Sequence, residues 1–373
     1  MSAPETAHPE FPHPQDLLYL NHAAVAPWPT RTRDAVVRFA SENAEIGARD
    51  YPQWLKVEQR LRHRLARLIG DVDSADVALL KNTSEGLSVI AQGIHWQPGD
   101  QVVISDQEFP SNRIPWQALA DQGVEVIEVS LDSDAPEQAV VQALGPRTRL
   151  VSLSAVQYGT GLLMDMAPIG RACRERGVLF CVDAIQILGA LPFSALTACA
   201  DFVVADGHKW MLGPEGLALF YCRRPVQDQL TLRQHGWHMV ANAGDYTTTD
   251  WQVAGNARRF ECGSPNMLGI HALEASLSLL EEEGMEQVAA TLQQKVQRLI
   301  DGLDRRGATL LSPREPARRA GIVTFTLPEE SPSQTYQRLR EAGVVCAERG
   351  GGVRFSPHFH TADSVIDRTL ALL

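Results

Sequence analysis

The apolar residues fall into short runs separated by amphipathic stretches, and this alternation continues from about residue 77 to residue 224. Several of the stretches between the runs, such as APIGRACRERG, have helical spacing and end at glycine. Strands that alternate with helices predict βαβ units and a mostly parallel sheet. The strand candidates are VALLK (77–81), QVVIS (101–105), VEVIEV (124–129), RLVSLS (149–154), VLFCVD (178–183), DFVVA (201–205) and LALFY (217–221).

The pattern changes on both sides of this region. A short strand, LLYLN, precedes a helical stretch from Thr30 to about Ile69. After Arg224 comes an irregular segment, QHGWHMVANAGDYTTTDWQ, and then two long helices (about 267–284 and 286–306) and strands near GIVTFTL and GVRFS. We therefore expect an N-terminal arm (1–25) that packs on a smaller α+β domain (261–373), with a large α/β domain (26–260) between them.

Composition excludes several classes of function. A chain of 373 residues with 44% hydrophobic and 21% charged residues is ordinary for a globular enzyme of more than one domain. The formal net charge of −11 argues against nucleic-acid or membrane-surface binding, because both need basic patches. The sequence lacks a run of about 18 apolar residues, and its Pro-rich start does not have the pattern of a signal peptide. We expect a cytoplasmic protein.

The cysteines give no sign of a metal site or of a disulfide framework. They are scattered, without a C-x-x-C pair or zinc-like spacing, and several lie in apolar runs. This distribution predicts buried, reduced thiols. The six positions are Cys173, Cys181, Cys199, Cys222, Cys262 and Cys346.

Two candidate ligand contacts follow the first strands of the predicted sheet. Thr83 and Ser84 stand where a strand gives way to a helix, and hydroxyls with free N–H groups at a helix start bind phosphate. The same residues also make ordinary helix caps. Phe109, after QVVIS, is placed to cover a flat ring, although an aromatic residue there is more commonly part of the core.

Two further candidates follow later strands. Asp183 ends VLFCVD, and its carboxylate would lose hydration unless a cation such as a protonated pyridine nitrogen met it. Capping of the next helix is an alternative role for this residue. Lys209, in VVADGHKWMLGP, follows the next strand and is placed to reach the same crevice, where a lowered pKa would favour a Schiff base. A lysine that simply meets water at a strand end is the alternative.

The order of these features resembles the class V aminotransferase family of pyridoxal-phosphate enzymes, which includes cysteine desulfurases, selenocysteine lyases, kynureninases and isopenicillin N epimerases. The resemblance runs from LYLNHAAVAP to GVRFSPHFHT and is most specific at DAIQ and GHKW-x-x-GPEG. It implies the fold type I architecture of PLP-dependent transferases, with a seven-stranded, mostly parallel sheet in the large domain and a smaller α+β C-terminal domain. It also implies pyridoxal 5'-phosphate as the cofactor.

The resemblance assigns roles around that cofactor. It implies that Lys209 forms the Schiff base and moves the substrate α-proton, that Asp183 pairs with the pyridine nitrogen, and that Gln186 contacts the ring oxygen. The further cofactor contacts that it implies are Thr83, Ser84 and His208 on the phosphate side, Phe109 over the ring, and Gln157 in VQYGTG.

The resemblance also implies substrate contacts and a partner subunit. Arg354, in GVRFSPHF, matches the arginine that binds the substrate α-carboxylate. Ser264, in RRFECGSP, matches the family's FE-x-G-T segment and would reach the phosphate of a neighbouring subunit, which implies a homodimer with shared active sites. Asn21 and His22 lie on the arm near the family's substrate entrance. The irregular region 233–256 is expected to contribute to substrate specificity.

Two departures from the desulfurases bear on the reaction. Phe109 stands where desulfurases have a histidine over the ring, and AGVVCAERGGGVRFS leads to Arg354 through a Gly-rich turn without the loop that carries their nucleophilic cysteine. Cys346 lies in an apolar run and is predicted to be a buried, inert thiol.

These departures leave several hypotheses about function. The leading one is a C–S β-lyase-type reaction at the α-carbon of an amino acid, with Lys209 as acid and base. Transamination, epimerisation and cysteine desulfuration or selenocysteine lysis are alternatives. Outside the enzymes, a non-catalytic binding protein of the same fold is another. A nucleotide-dependent oxidoreductase is disfavoured because no strand is followed by G-x-G-x-x-G.

Overall fold

The computed structural model describes residues 8–247 and 249–373, so the first seven residues of the predicted arm lie outside the described residues. The strands are, in chain order, β1 (Leu18–Tyr19), β2 (Val77–Leu80), β3 (Gln101–Ser105), β4 (Glu125–Val129), β5 (Thr148–Ser154), β6 (Leu179–Asp183), β7 (Phe202–Asp206), β8 (Ala218–Cys222), β9 (Thr309–Leu310), β10 (Val323–Thr326), β11 (Val344–Val345), β12 (Ala347–Arg349) and β13 (Gly352–Phe355). The α-helices are α1 (Thr30–Ile46), α2 (Tyr51–Leu68), α3 (Thr83–Gly93), α4 (Ile114–Gln117), α5 (Pro136–Gln142), α6 (Met166–Glu175), α7 (Arg224–Gln227), α8 (Met267–Glu283), α9 (Met285–Asp304), α10 (Pro332–Glu341) and α11 (Asp363–Ala371).

The central sheet has seven strands in the order β2-β8-β7-β6-β5-β3-β4, which confirms the predicted α/β class. Strands β4, β3, β5, β6 and β7 run parallel, and β8 is antiparallel to both β7 and β2. All strands except β8 therefore point the same way. Every residue of β7 and β8 is buried, as expected for strands covered on both faces, which explains their nearly continuous apolar runs.

The helices confirm the predicted elements with one difference. The stretch from Thr30 to Ile69 was expected to be one helical segment, but it forms two helices, α1 and α2. The break begins at Gly47, which follows the last residue of α1 and adopts φ 60° and ψ −135°, a conformation that glycine adopts at little cost. Both α1 and α2 pack against α8. In the α1–α8 contact, the buried hydroxyls of Thr32 and Ser276 lie 2.7 Å apart.

The C-terminal part contains a four-stranded antiparallel sheet in the order β12-β13-β10-β9. The N-terminal segment reaches this region, because β1 pairs in parallel with β11 and Asn21 forms a further bridge with Ser356. The division into an arm, a large domain and a small domain at residues 26 and 261 stays a prediction.

A tight hairpin joins β12 to β13. Arg349 pairs with Gly352, so Gly350 and Gly351 alone form the turn, with φ of 60° and 80°. Two successive residues with positive φ match the twist of a two-residue hairpin. A Cβ on Gly350 would lie 2.5 Å from the carbonyl oxygen of Gly159, so the turn also packs directly on the backbone of the large sheet's loops.

Two other sequence expectations concern the whole chain. No helix within residues 8–247 and 249–373 is long and apolar enough to span a membrane. All six cysteines fall within these ranges and all are free thiols, and Cys173, Cys181, Cys222 and Cys346 are buried.

Candidate active site

The carboxyl ends of the parallel strands bring distant segments of the sequence to one edge of the sheet. The segments that follow β2, β3, β5, β6 and β7 surround a cavity of about 280 Å³, and β13 reaches it from the C-terminal part. We call this the lysine cavity, after Lys209. Of the residues singled out in the sequence, those that line it are Thr83, Ser84, Phe109, Asp183, Gln186, His208, Lys209 and Arg354.

A carboxylate and an amine oppose each other in this cavity. Asp183, the last residue of β6, is 3% exposed and accepts a hydrogen bond from the backbone N–H of Ile185 at 3.0 Å. Burial raises the pKa of Asp183, and the nearby Glu108 carboxyl raises it further. Loss of hydration lowers the pKa of Lys209, although the charge of Asp183 opposes this effect. The lysine amine is therefore deprotonated more easily than a lysine in water, which suits a nucleophile or a base.

The start of α3 forms the polar end of the cavity. Asn82 caps this helix, since its side chain accepts from the N–H of Glu85 at 2.9 Å. The hydroxyl of Thr83 accepts from the N–H of Asp206 at 3.1 Å, and the hydroxyl of Ser84 donates to that of Ser111 at 2.8 Å. Both hydroxyls thus stand at the N-terminus of an 11-residue helix, where the dipole and the free N–H groups favour an anion.

His208 borders the same end of the cavity. Its Nδ1 lies 3.0 Å from Oδ1 of Asp206, a residue that is 6% exposed and also lines the cavity. Asp206 therefore contacts Thr83 at the start of α3 through its backbone N–H and His208 through its side chain. It was not singled out in the sequence, although it stands in VVADGHK, three residues before Lys209.

Gln186 is held by two hydrogen bonds that orient its amide. Its Nε2 donates to the carbonyl of Ala23 at 3.1 Å, and its Oε1 accepts from the indole N–H of Trp210 at 2.7 Å. One amide hydrogen of Gln186 is left for a ligand. Trp210 is fully buried and its role in orienting Gln186 was missed, since an aromatic residue after a lysine carries no sequence signal for that contact.

An aromatic wall closes one side of the cavity. Phe109 is 42% exposed, and the amine nitrogen of Lys209 lies 5.7 Å from the centre of its ring. The ring of Tyr158 meets Phe109 edge to face at 5.1 Å. Phe109 thus presents an aromatic face to the lysine, rather than being part of the core. Tyr158 was missed, although it neighbours Gln157 in VQYGTG.

A buried carboxylate supports the loop that carries this wall. Glu108 accepts hydrogen bonds from Ser105 and Asn112, both at 2.8 Å, and from the backbone and hydroxyl of Ser154 at 2.9 and 2.5 Å. Burial raises the pKa of Glu108, and these donors lower it in part. The network ties the loop after β3 to the end of β5 and so fixes the position of Phe109.

Arg354 brings a positive charge to the cavity from β13. It is 3% exposed, and Nη1 donates to the carbonyl of Tyr158 at 2.7 Å, but Nε is buried without a hydrogen-bond partner. Burial and the nearby charge of Arg349 lower the pKa of Arg354 to about 10. A buried guanidinium is normally paired with an anion, so the unused donor of Arg354 is suited to bind an anionic ligand.

Four of the sequence candidates do not line the lysine cavity. Gln157 is fully buried and its Nε2 faces the carbonyl of Ser154 at 3.3 Å, and Ser264 is exposed on the loop before α8. Asn21 lines a neighbouring cavity. His22 lies buried behind the site, where its Nδ1 donates to the carbonyl of Ser356 at 2.8 Å.

The described residues of the irregular region, 233–247 and 249–256, do not line the lysine cavity. Trp237 contributes to a separate cavity formed within that region, and His238 lies 3.6 Å from the carboxylate of Glu261. His238, Glu261 and Glu58 have ligand atoms within 4.8 Å of one another, which resembles a metal site. Arg62 donates to both carboxylates, however, so this cluster is an ion-pair network that joins α2 to the segment before α8.

The cavity residues fit pyridoxal 5'-phosphate, the cofactor that the family resemblance implies. A helix N-terminus with two hydroxyls suits the phosphate, and the buried carboxyl of Asp183 suits a protonated ring nitrogen. Lys209 supplies an amine of lowered pKa for the aldehyde carbon. The unused N–H of Arg354 remains for a substrate carboxylate.

Known proteins resemble this chain in both sequence and structure. The profile of the family described as Aminotransferase class-V matches residues 18–362. A probable cysteine desulfurase of Methanothermobacter thermautotrophicus is 27% identical over 97% of this chain and 95% of its own, and an isopenicillin N epimerase of Streptomyces clavuligerus is 29% identical over 94% and 92%. A solved cystine C-S lyase in complex with its reaction product cysteine persulfide superposes with a TM-score of 0.88 at 25% identity, over 96% of this chain and 97% of that one.

Proposed function

The chain belongs to the class V aminotransferase family of pyridoxal-phosphate enzymes, and from this premise we propose that it cleaves the Cβ–S bond of a sulfur-containing amino acid by β-elimination. The family accounts for the cofactor and the enzymatic nature of the protein. The choice of reaction is ours. It is supported by the likeness to a cystine C-S lyase and, above all, by the structure of the turn before Arg354.

That turn carries the proposal. The β12–β13 hairpin closes with Gly350 and Gly351 alone, so there is no loop before Arg354 on which a mobile cysteine could stand. Cys346 is 6% exposed, and burial raises the pKa of its thiol to about 12. A thiol is nucleophilic as the thiolate, so this cysteine is poorly suited to attack sulfur. If the Cβ–S bond is cleaved without an enzyme thiol as nucleophile, the reaction that remains is β-elimination.

The residues of the cavity then have distinct tasks. When bound, pyridoxal phosphate supplies an electron sink next to the substrate Cα. Arg354 binds the α-carboxylate, and Lys209 takes the proton from Cα. The Cβ–S bond breaks as the sulfur leaves with the bonding electrons and takes up a proton. The remaining three-carbon fragment is hydrolysed to pyruvate and ammonia.

The other residues hold the cofactor in place for this step. Thr83 and Ser84 would bind its phosphate at the start of α3, and Asp183 would hold a proton at the pyridine nitrogen. The free amide hydrogen of Gln186 would be available to the ring oxygen, and Phe109 would cover the ring and exclude water.

Product analysis tests the proposal. The cofactor-loaded enzyme is given L-cysteine and S-methyl-L-cysteine. The products measured are pyruvate, alanine, the D-form of the substrate and the keto acid that retains the substrate's sulfur. Pyruvate from both compounds supports β-elimination, whereas alanine or a D-amino acid as the main product contradicts it. Lys209→Ala should lower the rate by about 10²–10⁴-fold, as expected when a general base is removed. It should also prevent borohydride from attaching the cofactor covalently to the protein.

Cysteine desulfuration is a second candidate, supported by the relatives named as probable cysteine desulfurases and by the position of Cys346 in the wall of a cavity beside Arg354. Cys346→Ser separates the two reactions. A desulfurase that used this thiol would lose alanine production, whereas a β-lyase would keep its pyruvate production. Cys199→Ser is the matched control, because Cys199 is a free cysteine that lines neither cavity.

We also propose that two copies of the chain form a homodimer with shared sites. Ser264 is exposed and lies outside the lysine cavity of its own chain, as expected if it serves the partner's cofactor. Light scattering of the purified protein should give twice the mass of the chain, and Ser264→Ala should weaken cofactor binding. A monomer with full cofactor affinity would contradict this proposal.

A further inference from the structure

A second, larger cavity of about 750 Å³ adjoins the lysine cavity. We call it the side cavity. It lies between the β12–β13 hairpin, the start of α10 and the N-terminal segment, and its wall includes Asn21, Tyr336 and Glu348. The two cavities share Ala24, Arg349 and Arg354. A substrate whose α-carboxylate is bound by Arg354 therefore has room for a long side chain in this direction.

The two arginines are neighbours on one face of the sheet. Arg349 pairs with Gly352 in the hairpin, and Arg354 stands two residues further along β13. Side chains two residues apart on a strand share a face, so Arg349 and Arg354 are diagonal neighbours with Cα atoms roughly 7–8 Å apart. Burial and the charge of Arg349 both lower the pKa of Arg354, as expected for two guanidinium groups at diagonal positions.

Arg349 has no carboxylate partner among the residues that the structure describes. Its Nη1 donates to the backbone carbonyl of Glu348 at 2.7 Å. The Glu348 carboxylate instead accepts a hydrogen bond from the hydroxyl of Ser333 at 2.6 Å, at the start of α10. Asn21 Oδ1, also in this wall, is buried without a hydrogen-bond partner. The wall thus presents a free cation to the cavity.

We propose that the side cavity binds the end of a substrate side chain that carries a second carboxylate, and that Arg349 pairs with this carboxylate while Arg354 binds the first. The inference rests on the proposed function, since it makes the substrate an S-substituted cysteine with an acidic group on sulfur. A guanidinium favours such a group because it forms two parallel charge-assisted hydrogen bonds with a carboxylate.

Two compounds of nearly equal size isolate the charge. S-Carboxymethyl-L-cysteine carries the second carboxylate, and S-carbamoylmethyl-L-cysteine replaces it with a neutral amide. Their dissociation constants are measured on the cofactor-loaded enzyme from the first, rapid change in cofactor absorbance after mixing, before product forms. The wild-type protein should bind the acid about tenfold or more tightly than the amide, as expected for one charge-assisted pair.

Variants assign the preference to one residue. Arg349→Gln should remove it and leave the affinity for the amide within about twofold of wild type, since a twofold change is well below one such pair. Arg349→Lys should retain part of the preference, because the charge remains without the planar fork. Arg171→Gln, an exposed arginine on α6 that lines neither cavity, should behave as wild type.

Three outcomes overturn the inference: equal binding of acid and amide by the wild-type protein, loss of affinity for both compounds in Arg349→Gln, and a preference that persists in that variant. The second would mean that Arg349 serves the α-carboxylate. The proposed reaction is scored separately by pyruvate. A preference for the acid without pyruvate would uphold the side-cavity inference and contradict β-elimination. Pyruvate from both compounds with equal affinity would do the reverse.

Discussion

At the scale of single residues, the site depends on charged groups that are held away from water. Asp183 and Lys209 each favour the charged form of the other in the same cavity, whereas burial disfavours both charges and shifts the pKa of each towards the neutral form. A bound cofactor with a protonated ring nitrogen would change this balance, because it offers Asp183 a cation at short range. The N–H of Ile185 and the charge of Lys209 compensate part of the cost of burying this carboxyl, and the bound cofactor would compensate a further part.

Asp183→Asn tests this interpretation. The substitution keeps the shape of the side chain and removes its charge, so the partner of the ring nitrogen is lost. We expect the rate of substrate turnover to fall roughly a hundredfold or more, in the range measured when one preorganised electrostatic contact is removed. Asp121→Asn, at an exposed position on the far edge of the sheet, is the control and should be neutral. A turnover rate near wild type in Asp183→Asn would rule out this role.

The pH dependence of cofactor binding follows from the same residue. Because the pKa of Asp183 is raised, lowering the pH protonates this carboxyl earlier than an exposed aspartate, and the partner of the ring nitrogen is neutralised. Cofactor affinity should therefore weaken from neutral pH downwards in the wild-type protein. The same titration of Asp183→Asn should be flatter, and an equal slope in both proteins would show that another group is responsible.

At the scale of elements, the seven central strands were predicted from apolar runs to within one or two residues. Strands buried on both faces need nearly continuous apolar residues, so the signal is local and strong. The break between α1 and α2 was missed, because the helical pattern of the sequence continues across residues 47–50 and does not show the positive φ that Gly47 adopts. The hairpin before Arg354 was anticipated as a short Gly-rich turn.

The two glycines of that hairpin give a matched pair of substitutions. Both have positive φ, so alanine at either position should cost about 1–2 kcal/mol in the free energy of unfolding. At Gly351 the nearest atom to a new Cβ is 3.8 Å away, whereas at Gly350 it is the Gly159 carbonyl oxygen at 2.5 Å. Gly350→Ala should therefore destabilise the protein by a further 1–3 kcal/mol or so. Urea unfolding measures the difference, and equal costs would refute the close contact.

At the scale of the whole molecule, a histidine cluster joins the two ends of the chain. His22 Nδ1 donates to the carbonyl of Ser356, so its Nε2 must accept the hydrogen bond from Nε2 of His360 at 3.2 Å. The ring of His360 stacks on Phe11, and His358 donates to the carbonyl of Trp210 at 3.0 Å. These contacts require neutral imidazoles and place the N-terminal segment directly behind the lysine cavity.

The cluster predicts a loss of stability in acid. Burial lowers the pKa of His358 to about 4 and that of His22 and His360 well below the usual value of 6.5. Between these values the unfolded chain binds more protons than the folded chain, so the free energy of unfolding should fall as the pH drops from about 6.5 towards 4. Each histidine contributes up to about 1.4 kcal/mol per pH unit.

Denaturation at several pH values between 7.5 and 5 measures this slope. His358→Gln should reduce it by removing one of the buried groups, whereas His63→Gln, at an exposed position on α2, should leave it unchanged. Identical slopes in wild type and His358→Gln would show that this histidine does not account for the effect.

The sequence by itself determined the strands, the order of the motifs and the family, because apolar periodicity and short motifs are written in consecutive residues. It also named eight of the nineteen residues that line the lysine cavity, since the residues after parallel strands must meet at one edge of the sheet. The direction of each side chain was decided by the tertiary structure. Gln157 turns to the carbonyl of Ser154, whereas Arg349, which no motif marked, reaches both cavities because its hairpin register places it beside Arg354. Such directions depend on contacts between residues far apart in the chain, and no local pattern encodes them.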